Sequence, residues 1–488
     1  MRLELPLGGY INLVKRDKIN SAVRWSAIDS LVRYSLSFVI TVVLARILVP
    51  ADFGIVGMLA VFIAIASMFI DSGFSLALIQ RQTTTNADES TIFYFNLIIG
   101  ALVALALCSA ASWIAAFYQQ PILNKIIYLM ALNLCITAFG SIHMTLLTKK
   151  LDFKTITWVG AVSTLISGIS AILMALSGWG VWALILQTIV GSLISVAMLW
   201  ILHPWRPQWI FSRDSLRSFF RFGGFILLTN SLYNLYINLY SLIIGKLYSA
   251  RDVGFFSRAQ SLHQLPFRLI EGIVGRIAFP LFAEAAGDKV KLVRGMRKAQ
   301  AMIMLINIPL MIGLIILADH LVETLLGVKW APVVPILRVL SIAGILLPLQ
   351  SLNLDVLKAQ GHSDLNARIM LFKLVIGISL LIGAARYGIM AIAWGYAVSS
   401  VSFFMVNAYY TRVFLDYGAL AQLRDLMPYF GAVIPMASVM WLVAYILVLP
   451  VQTELAVALV MGGMVYLVTC KITRPAGYEE LIAFIRRK

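Results

Sequence analysis

The sequence predicts an all-α integral membrane protein, and its composition, its hydropathy and the length of its apolar segments support that class. Of the 488 residues, 61% are hydrophobic and only 12% are charged, whereas soluble domains are about one-quarter charged. The mean hydropathy is +0.90. Apolar stretches of about 20 residues, long enough to cross a hydrocarbon core of about 30 Å as a helix, recur along the chain. A water-soluble fold is therefore not expected.

Charged residues and Pro or Gly breaks divide the apolar sequence into about fourteen predicted transmembrane helices. The first six span 22–47, 53–80, 91–118, 122–147, 155–177 and 180–202. The other eight span 217–246, 252–282, 299–318, 331–357, 365–385, 388–411, 427–449 and 453–471. The segment before them carries Lys15, Arg16 and Lys18 and lacks a signal-peptide cleavage site, which predicts a cytoplasmic interfacial helix.

Basic residues are distributed unequally over the connecting segments. With the N-terminus inside, 26 of them lie on cytoplasmic segments and six on the opposite side. Because Lys and Arg are enriched in cytoplasmic loops, both termini are predicted to be cytoplasmic. The net charge of +17 then reflects membrane topology, and no nucleic-acid partner is expected.

Two pairs of similar segments suggest that the chain contains an internal repeat. Residues 45–54 and 245–254 share a basic residue followed by Asp-x-Gly at an offset of 200, and residues 179–183 have a counterpart at 387–391. Each copy would contain six helices, so both copies begin on the cytoplasmic side, as in transporters with parallel repeats. The alternative is chance similarity, since Asp-x-Gly is also common turn chemistry.

The repeat predicts two pseudo-symmetric six-helix lobes followed by two additional helices. The N-lobe covers 1–205, the C-lobe 206–415, and helices 13 and 14 with a cytoplasmic tail 416–488. Transporters of this plan place the substrate path between the lobes.

The three cysteines and five histidines form no recognisable metal motif. Neither CxxC nor HExxH is present, and these are the spacings that zinc sites most often use. No cofactor and no metal site are therefore predicted.

Six short motifs at helix ends follow one another along the chain. They are Ala-Val-Arg-Trp-Ser-Ala at 22–27, Leu-Ala-Arg-Ile-Leu at 44–48, Ser-Gly-Phe-Ser-Leu-Ala-Leu-Ile-Gln-Arg at 72–81, Arg-Phe-Gly-Gly at 221–224, Phe-Pro-Leu-Phe-Ala at 279–283 and Gly-Val-Lys-Trp at 327–330. Together they resemble the polysaccharide transport family of the multidrug/oligosaccharidyl-lipid/polysaccharide exporter superfamily, the Wzx-type flippases, and in particular its colanic-acid exporter branch.

The resemblance implies a transporter that flips undecaprenyl-pyrophosphate-linked oligosaccharide from the cytoplasmic to the periplasmic leaflet of the bacterial inner membrane. It also implies alternating access, membrane lipid around the protein, and the polymerase and chain-length components of the pathway as partners. A cation-coupled multidrug antiporter is the alternative within the transporter class, and it would need an acidic cavity. A membrane-embedded polysaccharide polymerase is the enzyme alternative, and it would normally show a large periplasmic loop, so no enzymatic activity is expected.

Basic residues inside the predicted spans are candidates for contact with a pyrophosphate headgroup, since embedded charges are costly and often functional. The candidates are Arg24, Arg33, Arg258, Arg268 and Arg276. Spacing of three or four residues predicts that Asp29 pairs with Arg33 and Glu271 with Arg268. The alternative is that these arginines form structural salt bridges or extend to the membrane surface. Arg338 and Lys373 are expected to be structural, because no other polar residue is evident near them.

A polar and aromatic stripe on the seventh and eighth spans predicts a wall that faces sugar. Its members are Asn230, Tyr233, Asn234, Tyr236, Asn238, Tyr240, Gln260 and Gln264. Amides bond to sugar hydroxyls and tyrosine rings stack on pyranoses, although Asn and Gln also join packed membrane helices.

The acids within the spans are candidates for coupling transport to H⁺ or Na⁺. They are Asp29, Asp71, Glu271 and Asp355. Asp355 has the alternative of pairing with Lys358 three residues later.

Overall fold

A computed structural model confirms the all-α membrane class. It describes residues 7–71, 75, 78–79, 81, 84–213, 215–217, 236–285, 287–360, 363–447 and 449–486, and no strand occurs among them. Within helices, the backbone alone is described at 7–20, 23, 71, 268–281, 283–284, 363–364, 366–367, 481 and 483–486. The chain divides into two compact units, Met1–Leu239 (unit 1) and Tyr240–Lys488 (unit 2).

Unit 1 is built from long helices joined by short connections. They are α1 Leu7–Ile47, α2 Pro50–Asp71, α3 Asn86–Tyr118, α4 Ile122–Lys149, α5 Phe153–Leu176 and α6 Val181–Leu202. Helix α1 runs without a break through the region that was predicted to be a separate interfacial helix, because no Pro or other helix breaker separates the two segments.

Unit 2 contains more and shorter helices. They are α7 236–247, whose first four described residues belong to unit 1, α8 Ala250–Glu284, α9 Lys289–Ile316, α10 Ala318–Leu325, α11 Val333–Gly344, α12 Leu347–Ala359, α13 Ser363–Ala384, α14 Ile389–Leu415, α15 Ala419–Tyr445, α16 Val451–Thr473 and α17 Ala476–Arg486, with a 3-10 turn at Val328–Trp330.

Three features of unit 2 differ from the predicted spans. The span 331–357 is interrupted between α11 and α12, where Pro348 occupies the first turn of α12. The basic residues from Lys289 to Lys298 lie on the first turns of α9 rather than in a loop. The predicted tail forms helix α17.

Eleven helical segments of the described residues are long and apolar enough to cross a membrane, with α11 and α12 counted as one. The protein is therefore an integral, multi-pass membrane protein. The total of fourteen spans and the lobe boundaries at 205 and 415 remain predictions.

The repeated Asp-x-Gly motif has the same local role in both copies. Asp52 Oδ2 accepts a hydrogen bond from the backbone N–H of Val49 at 3.2 Å, at the start of α2. Asp252 Oδ2 accepts one from the N–H of Ser249, also at 3.2 Å, at the start of α8. Each carboxylate therefore satisfies a backbone donor that the first turn of the helix leaves unpaired.

Glycines bring the helices of unit 1 close together. A Cβ atom at Gly168 of α5 would lie 2.1 Å from Ile40 Cδ1 of α1, and one at Gly160 would lie 2.7 Å from Arg33 Cδ. Small residues at such positions let membrane helices approach closely. The α1–α5 contact therefore depends on these two glycines.

Helix α9 lies at the centre of the hydrophobic core of unit 2. Met304 and Ile308 are fully buried there together with Ala432 of α15 and Ala458 of α16. The two C-terminal membrane helices, α15 and α16, are thus packed into the core of unit 2.

Candidate functional site

Unit 1 contains a polar cavity of about 980 Å³ within its membrane-crossing part. Helices α1, α2, α4, α5 and α6 contribute to its wall, together with Ser75 and Ile79. The volume lies at the upper end of the range of about 300–1,000 Å³ that is typical of small-molecule sites. None of the residues that the structure gives as lining it is charged or aromatic.

Serine and threonine side chains form stripes along two of the lining helices. Helix α4 contributes Thr137, Ser141, Thr145 and Thr148, and helix α6 contributes Thr188, Ser192 and Ser195. Spacings of three and four residues place each set on one face of its helix. The stripe on α4 covers about 16 Å at 1.5 Å per residue, which is roughly half of the hydrocarbon core.

Most of these hydroxyl groups also bond within their own helix. The carbonyl acceptors lie three or four residues earlier, which is the usual arrangement for Ser and Thr in a membrane helix. The bonds are Thr137 to Leu134 at 2.9 Å, Ser141 to Ala138 at 3.1 Å, Thr148 to Met144 at 2.8 Å, Ser163 to Gly160 at 3.1 Å, Ser167 to Thr164 at 3.2 Å and Thr188 to Leu184 at 3.2 Å. Two hydroxyls of the α4 stripe also bond to other segments. Asn96 of α3 donates to Ser141 Oγ at 3.0 Å, and Thr145 Oγ1 lies 3.0 Å from Ser75 Oγ.

Cationic side chains lie at the end of α4, next to the last lining residue on that helix. Lys149 directly follows Thr148, and its Nζ donates to Thr84 Oγ1 at 2.8 Å. The Nζ of Lys150 lies 3.4 Å from Nε2 of His203. Because the predicted topology places this end on the cytoplasmic side, the cations would lie at the cytoplasmic end of the cavity.

His203 connects this cationic group to the residues that follow α6. Its side chain is buried, and Arg206 donates to its backbone carbonyl at 2.7 Å. Burial lowers the pKa of His203 from its usual 6.5, and the positive charges of Lys150 and Arg206 lower the pKa further. The imidazole is therefore neutral at pH 7.

The predicted pairing of Asp29 with Arg33 on α1 is confirmed. The Asp29 carboxylate is buried and bonds to the Arg33 guanidinium, whose side chain packs against Gly160. Ser37, one turn later on α1, lines the cavity. Arg24 is exposed at an earlier position on the same helix. The ion pair thus lies one helical turn from the cavity lining on α1.

The described residues of the predicted sugar-facing wall are in part fully buried and in part half-buried. Tyr236 is buried, and Tyr240 is completely buried, with its ring stacked on Phe256 at 5.8 Å and edge-on to Tyr396 at 5.3 Å. The Tyr240 ring therefore belongs to an aromatic core in this structure. Half-buried members of the set are Asn238, Gln260, Gln264 and the neighbouring Arg258.

Several predicted site residues lie outside the described part of the chain. These are Asn230, Tyr233 and Asn234, and the side chains of Asp71, Arg268, Glu271 and Arg276. Their binding and coupling roles, like those of the described candidates, remain predictions. The alternative considered for Asp355 is present in the structure, since its Oδ1 lies 3.1 Å from Lys358 Nζ.

The expectation that Arg338 has no polar surroundings is wrong. Its guanidinium bonds to the Asp319 carboxylate and donates to Tyr445 Oη at 3.0 Å. Both partners are distant in sequence, so local spacing could not indicate them. Lys373 does lie in apolar surroundings, with its Nζ 5.5 Å from the centre of the Phe403 ring.

Sequence reasoning missed the hydroxyl-lined cavity. The signal was present in Thr188, Ser192 and Ser195, which recur at the spacing of one helix face, and again in Ser141, Thr145 and Thr148. It was not used because isolated Ser and Thr residues are common at helix contacts in membrane proteins.

An open, hydroxyl-lined cavity among membrane-crossing helices is typical of integral membrane transporters. More specifically, the chain belongs to the polysaccharide biosynthesis protein family, whose family model matches residues 43–335.

Two bacterial proteins and one solved structure show how far this similarity extends. The chain is 28% identical over 464 residues to the teichuronic acid biosynthesis protein TuaB of Bacillus subtilis (strain 168), covering 92% of this chain and 94% of that protein. It is 25% identical over 393 residues to the lipopolysaccharide biosynthesis protein WzxC of Escherichia coli (strain K12), covering 79% of each. It is similar in fold to the lipid II flippase MurJ in an inward closed conformation, with a TM-score of 0.75, 14% identity, and coverage of 94% of this chain and 99% of MurJ.

Proposed function

We propose that the protein moves lipid-linked oligosaccharides from the cytoplasmic to the periplasmic leaflet of the bacterial inner membrane by alternating access. The observation that carries the proposal is the hydroxyl-lined cavity of unit 1, which lies among membrane-crossing helices. Membership in the polysaccharide biosynthesis protein family supports it. The roles of TuaB and WzxC in polysaccharide biosynthesis and of MurJ as a lipid II flippase also support it.

The cavity offers what a sugar needs in order to leave water. A hydroxyl group that enters an apolar environment without a hydrogen-bond partner costs about 2–7 kcal/mol, and an oligosaccharide carries many such groups. Side chains such as Thr188 and Ser192 replace part of the lost water. A cationic drug would favour a cavity lined by carboxylates. The described lining of the unit 1 cavity contains no carboxylate.

The pyrophosphate of the substrate requires positive charge. We propose that Lys149, Lys150 and Arg206 attract it at the cytoplasmic end of unit 1, because charge-assisted hydrogen bonds to phosphate are strong. Arg24, Arg33, Arg258, Arg268 and Arg276 are the further candidates for contact with it along the path.

The remaining parts of the proposal concern coupling and orientation. H⁺ or Na⁺ coupling would use Asp29, Asp71, Glu271 or Asp355, of which Asp29 and Asp355 are each paired with a cation in this structure. Both termini are proposed to be cytoplasmic. The protein is proposed to act as a transporter rather than an enzyme, with the polymerase of its pathway acting on the delivered unit.

Deletion of the gene, followed by mass spectrometry of the membrane lipids, tests the proposal. We expect loss of the polymer and accumulation of an undecaprenyl-pyrophosphate-linked oligosaccharide on the cytoplasmic side, and the mass would also give the sugar composition. Normal polymer output, or loss of polymer without any lipid-linked oligosaccharide, would contradict the proposal.

Arg33→Gln tests whether the α1 ion pair contributes to transport. Because Arg33 lies one turn from Ser37, its loss should lower polymer export while the protein remains in the membrane. Asp29→Asn is the matched control, since it removes the negative partner and retains the cation. Equal export by wild type and Arg33→Gln would exclude Arg33 from the path.

A further inference from the structure

The contacts of His203, which directly follows α6, set two hydrogen-bond donors against each other. Its Nδ1 accepts a hydrogen bond from the backbone N–H of Trp205 at 3.3 Å. Its Nε2 lies 3.4 Å from the Nζ of Lys150. A lysine ammonium only donates, and a neutral imidazole has one donor and one acceptor. Whichever ring nitrogen carries the hydrogen therefore faces another donor.

The backbone decides which nitrogen carries the hydrogen. The N–H of Trp205 is fixed by the main chain and is directed at Nδ1, so Nδ1 is the acceptor and the hydrogen lies on Nε2. Nε2–H and the Lys150 ammonium are then two donors side by side. A negatively charged oxygen satisfies both, because each donor can direct a hydrogen to it.

Three basic residues give this end of unit 1 a positive potential. Lys149 and Lys150 are adjacent in the chain, and Arg206 donates to the carbonyl oxygens of His203 and Trp205, each at 2.7 Å. These two bonds hold the Arg206 guanidinium close to the imidazole. Fixed cations around a pair of donors favour an anionic ligand over a neutral one.

The carboxylate of Asp152, whose charge also acts on His203, is bonded elsewhere. It accepts from the N–H and the hydroxyl of Thr155 at 3.1 and 2.7 Å and so caps the start of α5. The place between the two donors is therefore left to an oxyanion from a ligand. Lys150 is exposed, which gives access from its side, and the imidazole is buried, which strengthens a hydrogen bond to a charged group.

We propose that His203 Nε2–H and the Lys150 ammonium together bind one phosphate oxygen of the lipid-linked substrate. The oxyanion site follows from the two opposed donors, whereas the identity of the ligand rests on the proposed function. Pyrophosphate and a phospholipid headgroup share phosphate chemistry. The site is assigned to the pyrophosphate, because its greater negative charge matches the three cations better than a single phosphodiester does.

Two replacements of His203 separate ligand binding from a structural role. His203→Gln carries an amide group that reaches the position of Nε2 and can donate there. His203→Asn carries an oxygen that reaches the position of Nδ1, but it has no atom at Nε2. If His203 only holds the N–H of Trp205, Asn preserves its role. If His203 binds phosphate, Gln preserves the role and Asn does not.

Calorimetric titration of the purified full-length protein with inorganic pyrophosphate, in neutral detergent micelles at pH 7.5, measures the site. Loss of one hydrogen bond to a charged group corresponds to a Kd about tenfold weaker. We expect that loss for His203→Asn and for Lys150→Gln, and a smaller one for His203→Gln. Lys154→Gln is the matched control, since the Lys154 Nζ lies over the Trp25 ring, 6.0 Å from its centre. Its Kd should stay within about twofold of the wild type.

The inference is overturned if the wild type does not bind pyrophosphate or if His203→Asn binds it as tightly as the wild type. Equal weakening by Lys154→Gln and Lys150→Gln would also overturn it, since general surface charge would then explain the binding. If His203→Asn does not fold, Lys150→Gln, at an exposed residue, decides the outcome.

A short-chain phosphatidylglycerol, titrated under the same conditions, distinguishes the two sources of phosphate. We expect it to bind at least tenfold more weakly than pyrophosphate. Equal affinity that is lost in His203→Asn would assign the site to membrane headgroups and overturn the assignment to the substrate.

Translocation of an undecaprenyl-pyrophosphate-linked oligosaccharide by the wild type separates this inference from the proposed function. Translocation, together with pyrophosphate binding that His203→Asn leaves unchanged, refutes the phosphate site alone. Pyrophosphate binding that depends on His203, without translocation, refutes the proposed function and leaves an oxyanion site.

Discussion

The polar side chains that border the cavity of unit 1 and those buried in the core of unit 2 bond in different ways. In unit 1, hydroxyls such as Thr188 bond to their own helix and border a cavity. In unit 2, side-chain amides bond between helices, with Asn353 of α12 and Gln422 of α15 exchanging two hydrogen bonds at 2.9 and 2.8 Å. Thr411 of α14 donates to Asn353 Oδ1 at 2.6 Å, and Gln300 of α9 donates to the Gln422 carbonyl at 3.1 Å.

The difference shows how similar residue types produce either open space or rigidity in a membrane protein. Polar groups that bond within one helix leave room between helices for a ligand. Polar groups that bond between helices hold the helices together. Unit 1 is therefore suited to binding, and the amide network of unit 2 fixes α15 to its neighbours.

The largest expected effect comes from breaking the amide network. Gln422→Met keeps the approximate shape of the side chain but removes its two hydrogen bonds to Asn353 and the one that it donates to the Tyr417 carbonyl. At about 0.5–1.5 kcal/mol for each bond, the protein should be destabilised by about 2–3 kcal/mol. Denaturant unfolding in detergent micelles measures this change. Thr188→Val, the corresponding change at the cavity, should cost about 0.5 kcal/mol or less. Equal losses at both positions would refute the comparison.

Gly477→Ala tests how tightly the C-terminal helix of unit 2 is packed. A Cβ atom there would lie 2.3 Å from the backbone oxygen of Ala301, which cannot move without displacing α9. Overpacking of this kind costs about 1–3 kcal/mol. Gly463→Ala on α16 is the control, since nothing lies within 4 Å of its Cβ position. A midpoint of thermal unfolding that is equal in both variants would contradict close packing of α17.

A double change at the cavity should affect transport more than stability. Thr188→Val with Ser192→Ala removes two hydroxyls from the α6 stripe, and at about 0.5–1.5 kcal/mol for each lost bond the export rate should fall roughly tenfold. Polymer output in a complemented deletion strain measures this. Thr188→Ser, which keeps the hydroxyl, should retain near wild-type export. Full export by the double variant would show that the cavity is not on the path.

The smallest expected effect is a change in acid sensitivity at the cationic end of unit 1. Because the pKa of folded His203 is lowered below its usual 6.5, the unfolded chain binds the proton more readily. His203 therefore causes no loss of stability above about pH 6.5, and it destabilises the fold as the pH falls below that value. His203→Gln should narrow the difference in unfolding midpoint between pH 7.5 and 5.5. A wider difference would indicate that the folded state favours the protonated imidazole.

The membrane-spanning helices were predictable because their signal is local and strong. An apolar stretch of about 20 residues needs no knowledge of its neighbours. The interruption near Pro348 was not predicted, because the apolar pattern continues across it without charged residues. The helical start of α9 was missed for a related reason, since a basic cluster is typical of a cytoplasmic loop but is also compatible with a solvent-exposed helix turn.

Among the polar contacts, too, those between residues close in sequence were predictable and those between distant residues were not. The pairs Asp29–Arg33 and Asp355–Lys358 were predictable, since three- or four-residue spacing brings side chains together on a helix. The contact of Arg338 with Asp319 and Tyr445 joins distant segments and has no local signal. The cavity is a void between five helices, so its existence depends on packing that the sequence pattern does not contain.

Translocation by the purified protein in proteoliposomes tests the central claim most directly. An undecaprenyl-pyrophosphate-linked oligosaccharide with a neutral sugar unit is placed in one leaflet, and its appearance in the other is followed by accessibility to a glycan-modifying enzyme. We predict translocation by the wild type and a roughly tenfold slower rate for Thr188→Val with Ser192→Ala. Equal rates for the wild type and this double variant, or for vesicles with and without the protein, would contradict the account.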